Sequence, residues 1–171
     1  DGDGWRERPD GTPLAIEYAI QPDQRSRRFA EGLQKDLARV GVRVTFSTRT
    51  FGENLKRVRA GAAMAWGSAR FASSPDVDSL LTLGYGPSVG EANMARLRLP
   101  AYDSLYEQQT ALPDGSARDA VLDEASRLLV AYMPYKAHVH RMVTVLAQPR
   151  VQAFAATPFL PQAWAWMEVG P

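Results

Sequence analysis

The chain has 171 residues, 45% of them hydrophobic and 23% charged, which allows one domain with a full core and is the make-up of a folded protein, not a disordered one. Twenty basic residues stand against nineteen acidic ones, a formal net charge of +1, so no long-range field draws in nucleic acid or an anionic membrane. Cysteine is absent, which excludes disulfides, thiol nucleophiles and thiolate-bound metals together.

The opening segment, 1–13, is rich in Gly, Pro and Asp, with Asp-Gly at 1–2, 3–4 and 10–11, and reads as turns or a hairpin at a domain edge. A calcium-loop reading fails, because counting from Asp1 the fifth position is Trp5 and the twelfth is Thr12, neither of them a suitable carboxylate. No stretch of about eighteen apolar residues is present. The start has none of the basic and apolar regions of a signal peptide; if the parent protein is exported, the signal is expected to be removed or to lie upstream.

From Leu14 the pattern alternates through Ile16, Tyr18 and Ile20, a strand. Asp23 then caps a helix whose apolar positions Phe29, Leu33, Leu37 and Val40 recur at three- and four-residue spacing, and Gly41 stops it. Arg25, Arg27 and Arg28 on this helix lie beside Asp23, Glu31 and Asp36 with no interleaved aromatics, which describes a solvated face and not a nucleic-acid stripe. Val42, Val44 and Phe46 alternate again, so 14–48 forms one βαβ unit with parallel strands. A second helix runs around Phe51, Leu55 and Val58 to Gly61, and the apolar run from Ala62 to Trp66 fits a buried strand.

A polar loop follows, and Ser74-Pro75-Asp76 has the form of a helix start, with a capping hydroxyl, proline at the first position and acidic residues in the first turn. The stretch 84–100 is a long connection. Two more helices are expected, one carrying Tyr102, Leu105, Tyr106 and Gln109, the other beginning at Ser116 with a capping box to Asp119 and ending at Pro134. From Tyr135 the chain alternates through Ala137, Val139 and Arg141, and with Val143–Leu146 it reads as a strand pair, before a tail at 149–171 that includes Trp164 and Trp166.

Catalytic constellations are missing. His138 and His140 lie on one face of the expected strand but lack a third ligand for a metal. No Gly-x-Ser-x-Gly elbow is present, and Gly67-Ser68 and Gly115-Ser116 are ordinary loop pairs. No phosphate-cradling glycine motif follows a strand. Asp76 and Asp78 are accounted for by the dipole of a helix first turn.

Several pieces occur in a telling order: the Asp-Gly opening with Pro9-Asp10-Gly11, then Arg28-Phe29-Ala30-Glu31, Leu33-Gln34, Asp36-Leu37 and Val40-Gly41-Val42-Arg43-Val44, then Ala60-Gly61 before a strand ending in Trp66, Pro75-Asp76, Asn93, Tyr102-Asp103, Arg118, Glu124-Ala125, Leu128-Leu129 and Pro134. With these pieces the chain resembles, over nearly its whole length, the family 5 extracellular solute-binding proteins that serve oligopeptide, dipeptide and nickel importers. The resemblance implies an α/β fold of periplasmic-binding-protein type, with a β-α-β-α-β core, additional helices and C-terminal strands. All of 1–171 would be a single domain, the C-terminal lobe of a two-lobed protein whose N-terminal lobe is not in this sequence.

The implied function is solute capture for an ABC importer, outside the cytoplasm, without catalysis or cofactor. The implied partners are a peptide or other small solute, the N-terminal lobe and the permease subunits. The alternative is the solute-sensing domain of a cytoplasmic transcriptional regulator with the same lobe fold. In similar proteins the loop after the Trp-bearing strand faces the cleft, which nominates Trp66, Gly67, Ser68, Arg70, Phe71 and Ser73, together with Asn93, as ligand contacts. The chain departs from dipeptide-binding members at two points: Ala65–Ser74 contains no carboxylate, and the first strand is followed by Gln21-Pro22 with no arginine.

Overall fold

Strand β1 (Ala15–Ile20) and strand β2 (Arg43–Thr48) pair in parallel, residue for residue from Ala15 opposite Arg43 to Ile20 opposite Thr48, as alternation on both sides of a helix requires. The computed structural model describes residues 2–70, 72, 74–140, 142, 144–154 and 167–170. The chain divides into two units, Asp1–Ala69 with Val89–Met94, and Arg70–Ser88 with Ala95–Pro171.

In the first unit β3 (Ala65–Trp66) joins the other edge of β1, giving a parallel three-stranded sheet in the order β2-β1-β3. Helix α1 (Gln24–Arg39) starts where Asp23 accepts the Ser26 N–H at 2.9 Å, and helix α2 (Phe51–Arg59) starts in a reciprocal capping box between Thr50 and Glu53. Both end alike. Gly41 and Gly61 take φ of +73°, and the 6→1 bonds Val42 N–H to Leu37 O and Ala62 N–H to Arg57 O close the last turn of each helix. Such a φ costs a residue with a Cβ about 1–2 kcal/mol, which is why glycine stands there.

The two helices cover opposite faces of the sheet. Phe29 of α1 meets Tyr18 at 5.5 Å between ring centroids, and Tyr18 in turn meets Phe46 at 6.4 Å. On the other face Arg57 of α2 donates to Glu17 Oε1 at 3.0 Å, Ser47 Oγ at 2.8 Å and Ala62 O at 2.8 Å, joining β1, β2 and the helix exit. Ala19, Ile20, Ala30, Val44 and Val58 are buried, and each larger aliphatic among them contributes roughly 1.5–3 kcal/mol of transfer free energy. The opening hairpin forms as expected: Glu7 bridges Pro13, Asp10 accepts from Thr12, and Trp5 lies against the Arg43 guanidinium at 5.0 Å.

The second unit is mainly helical: α3 (Asp78–Leu81), 3-10 turns at Thr82–Gly84 and Gly86–Ser88, α4 (Pro100–Ala111), α5 (Ser116–Tyr132), and a two-residue antiparallel pair, β4 (Val151–Gln152) with β5 (Glu168–Val169). Its core is Leu81, Tyr102, Leu122 and Ala125, with Val77, Leu99, Leu105, Tyr106, Leu128 and Leu129 packed around them. Tyr102 is fully buried and its hydroxyl donates to Leu81 O at 2.6 Å; burial pushes the phenol far above its usual range, so it stays neutral. Gly84 and Gly86 are required by close packing: a Cβ on Gly84 would lie 2.7 Å from Leu129 and Tyr102, and one on Gly86 would lie 2.6 Å from the Asp103 carboxylate, which accepts the Gly86 N–H.

Three sequence expectations need correction. The helix expected at Ser74-Pro75-Asp76 begins later, at Asp78 with Val77 as its cap, because Asp76 accepts from Arg118 at 2.7 Å and from the Asp78 N–H at 3.0 Å. The box between Ser116 and Asp119 does not form. Gly115, at φ +144°, takes the cap position with no side-chain bond, and Ser116 is already helical. Finally, the described residues of 135–146 hold no strand; Arg141 and Val143 lie outside the described residues, as do Trp164 and Trp166. Alternation supplies faces but no ladder partner, and Val139, Met142 and Leu146 are left 85%, 94% and 92% exposed.

Candidate functional site

The carboxyl end of the parallel sheet is where an open α/β layer presents its loops, and in the first unit these are Gln21–Asp23 after β1, Arg49–Thr50 after β2 and Gly67–Ala69 after β3. Trp66, on the last position of β3 and in register with Ala19, is half-buried and packs on Phe51 with ring centroids 5.5 Å apart at 50°. Phe51 keeps 52% of its surface exposed, so the two rings form an aromatic platform open on one side.

Beneath it the backbone is tied down. Asn54, fully buried in α2, donates to Ile20 O at 3.0 Å and Arg49 O at 3.2 Å, and the Arg49 N–H also donates to Ile20 O at 3.0 Å. The Asn54 Oδ1 has no hydrogen-bond partner. Beside β3, Gly67 is exposed, and a Cβ there would stand 2.8 Å from the Tyr18 hydroxyl; burial raises the pKa of that phenol.

The carboxylates of this end are turned back onto the chain. Asp23 accepts the N–H and the hydroxyl of Ser26, and Glu53 accepts the N–H and the hydroxyl of Thr50; in both cases these hydrogen bonds hold the carboxyl below its ordinary range. Arg49 is exposed and forms no ion pair with any described residue.

Of the residues nominated by the sequence, Trp66, Gly67 and Ser68 stand at this end of the first unit, Gly67 and Ser68 both exposed. Arg70 is exposed and belongs to the second unit, and Phe71 and Ser73 lie outside the described residues. Asn93 is fully buried in the segment Val89–Met94 of the first unit, where its carbonyl accepts the Gly90 N–H at 3.2 Å. Arg49, Phe51 and Asn54 were missed. The signal that finds them is the Thr50-x-x-Glu53 box, which starts α2 at the end of β2 and so brings Phe51 to the strand ends.

Among the described residues no three His, Asp or Glu side chains gather to hold a metal ion, and no helix is long and apolar enough to cross a membrane. His138 and His140 are both exposed.

No protein-family model matches the chain. Di/tripeptide-binding protein 2 of Pseudomonas aeruginosa is 27% identical over 147 residues, 85% of this chain and 28% of that protein. Heme-binding protein A of Haemophilus influenzae is 26% identical over 157 residues, 87% of this chain and 29% of the relative. The fold superimposes with a TM-score of 0.76 at 17% identity on the ABC transporter-associated periplasmic binding protein DppA from Helicobacter pylori in complex with peptide STSA, over 95% of this chain and 33% of that one. The chain is thus similar to solute-binding proteins that carry peptide-binding and heme-binding names. It spans less than a third of the length of these curated relatives. The expected fold class stands, a parallel α/β layer with added helices, and the named relatives are binding proteins.

Proposed function

We propose that this chain is the C-terminal, ligand-binding lobe of a two-lobed solute-binding protein that works in the periplasm, captures a small solute and delivers it to the permease subunits of an ABC importer. The match to a di/tripeptide-binding protein along 85% of this chain, but only 28% of that protein, carries the reading. The architecture agrees with it: the exposed end of a parallel sheet with a half-buried tryptophan, an exposed phenylalanine and glycine-serine backbone is a surface built to hold something flat or apolar. Trp66, Gly67 and Ser68 make the solute contacts on the first unit, with Asn93 supporting from its buried position. Arg70, Phe71 and Ser73 are proposed as solute contacts on the sequence alone.

The test is a thermal-shift screen of the full-length mature protein against short peptides, nickel chelates, heme, sugars and amino acids. A solute bound only by the native state at about 100 times its Kd adds about 2.7 kcal/mol of stability and raises the melting temperature. The expected result is a shift for one class, lost in Trp66→Ala or Arg70→Ala. If no class shifts the protein while one of the compounds is chemically altered, the capture reading is wrong.

A further inference from the structure

Val145 joins Val139, Met142 and Leu146 among the exposed apolar side chains of 135–146, and Val130 and Tyr132 at the end of α5 are exposed just before them. Single exposed apolar side chains are ordinary, but a run of them marks a surface that something else covers. The order of residues says what kind of cover. On an extended chain Val139 and Val145 fall on one face and Met142 and Leu146 on the other, whereas the even positions before them are Lys136, His138 and His140. Such a strand is polar on one face in its first half and apolar on both in its second, the pattern of a strand that enters a layered interior. A helix is disfavoured by β-branched Val139, Val143, Thr144 and Val145 between Pro134 and Pro149.

The described residues of this chain give 135–146 no ladder, but the relatives have chain to spare. The superposition on DppA runs along 95% of this chain and fills only 33% of that protein. We propose that 135–146 pairs as a strand with a strand of the N-terminal lobe, outside these 171 residues, burying Val139 and Val145 on one side and Met142 and Leu146 on the other. The inference rests on the two-lobed reading and extends it to a surface that touches no solute. Pairing satisfies the N–H and C=O groups that an extended chain presents along its edges, and covering both faces takes the four side chains out of water.

Hydrogen exchange in the full-length mature protein reads the pairing. Amides of 136–146 are expected to exchange at least about a hundredfold more slowly than those of an unstructured chain, at a rate independent of protein concentration. A photo-cross-linking residue, His140→p-benzoylphenylalanine, is expected to join a peptide of the same molecule outside the 171 residues. Val139→Asp and Leu146→Asp, one on each face, should each lower the melting temperature by about 3 °C or more, against less than about 1 °C for Lys136→Gln. Exchange at the unstructured rate, protection that grows with protein concentration, cross-links absent or confined to the 171 residues or to a second molecule, or three substitutions that behave alike overturns the pairing. None of these outcomes touches solute capture, which the thermal-shift screen decides separately.

Discussion

The helices of the two units are bounded by different kinds of signal. In the first, each long helix starts on a side chain three residues away and stops on a glycine, so both boundaries are set within a few residues. In the second, α3, α4 and α5 start at Val77, Leu99 and Gly115 with no side-chain cap, and Asp76, which stands where a cap is expected, is held by a longer-range contact. That contact comes from the Arg118 guanidinium, 42 residues on in sequence, which also reaches the Gln109 side chain at 2.9 Å. At Asp76 the cap signal therefore fails because the side chain has a better partner elsewhere.

Substitutions sharpen this contrast. The largest effect is expected from Tyr102→Ala in the second unit, which removes a fully buried ring and its 2.6 Å bond to Leu81; a loss of about 3–5 kcal/mol should appear as a lowered urea midpoint. Asn54→Ala in the first unit leaves the Arg49 carbonyl without its amide partner while Ile20 O keeps the Arg49 N–H, and should cost about 1–3 kcal/mol by the same measurement. Next, Thr50→Ala should cost about 1 kcal/mol, whereas Ser116→Ala should cost at most a few tenths. If the two alanine variants prove equal, the contrast between locally and remotely defined helix starts collapses.

The smallest effect at neutral pH concerns Asp76. The hydrogen bond from Arg118 holds its carboxyl below the ordinary 3.8, so the folded state binds a proton less readily than the unfolded chain. The stabilisation this supplies is present above pH 3.8 and is lost as pH falls through the lowered folded value. Asp76→Asn lacks that component, so its denaturation midpoint and that of the wild type should converge on acidification below pH 3.8; a gap that stays constant would remove Asp76 from the acid response.

The β-α-β-α-β core was legible because its evidence is periodic and local: alternation at 14–20, three- and four-residue spacing through Phe29, Leu33 and Leu37, and glycines at 41 and 61. The alternation of 135–146 carries the same signature yet produces no strand among its described residues, since periodicity describes a side-chain pattern and a strand also needs a hydrogen-bonded neighbour. The aromatic platform was half legible. Trp66 announces itself by ending an apolar run, but its neighbour Phe51 looked like a core position of α2 until the fold put the helix start at the strand ends.

Gly67 carries a consequence for how this position tolerates change over evolutionary time. It sits on the surface, next to residues assigned to solute contact, yet any larger residue there meets the Tyr18 hydroxyl at 2.8 Å, and Tyr18 is itself held between Phe29 and Phe46. A mutational scan should therefore find an exposed position that rejects even alanine, with tolerance restored by Tyr18→Phe, which removes the obstructing oxygen. Invariance at such a site would record the aromatic stack below it, and a glycine preserved across relatives with different solutes would follow from packing alone.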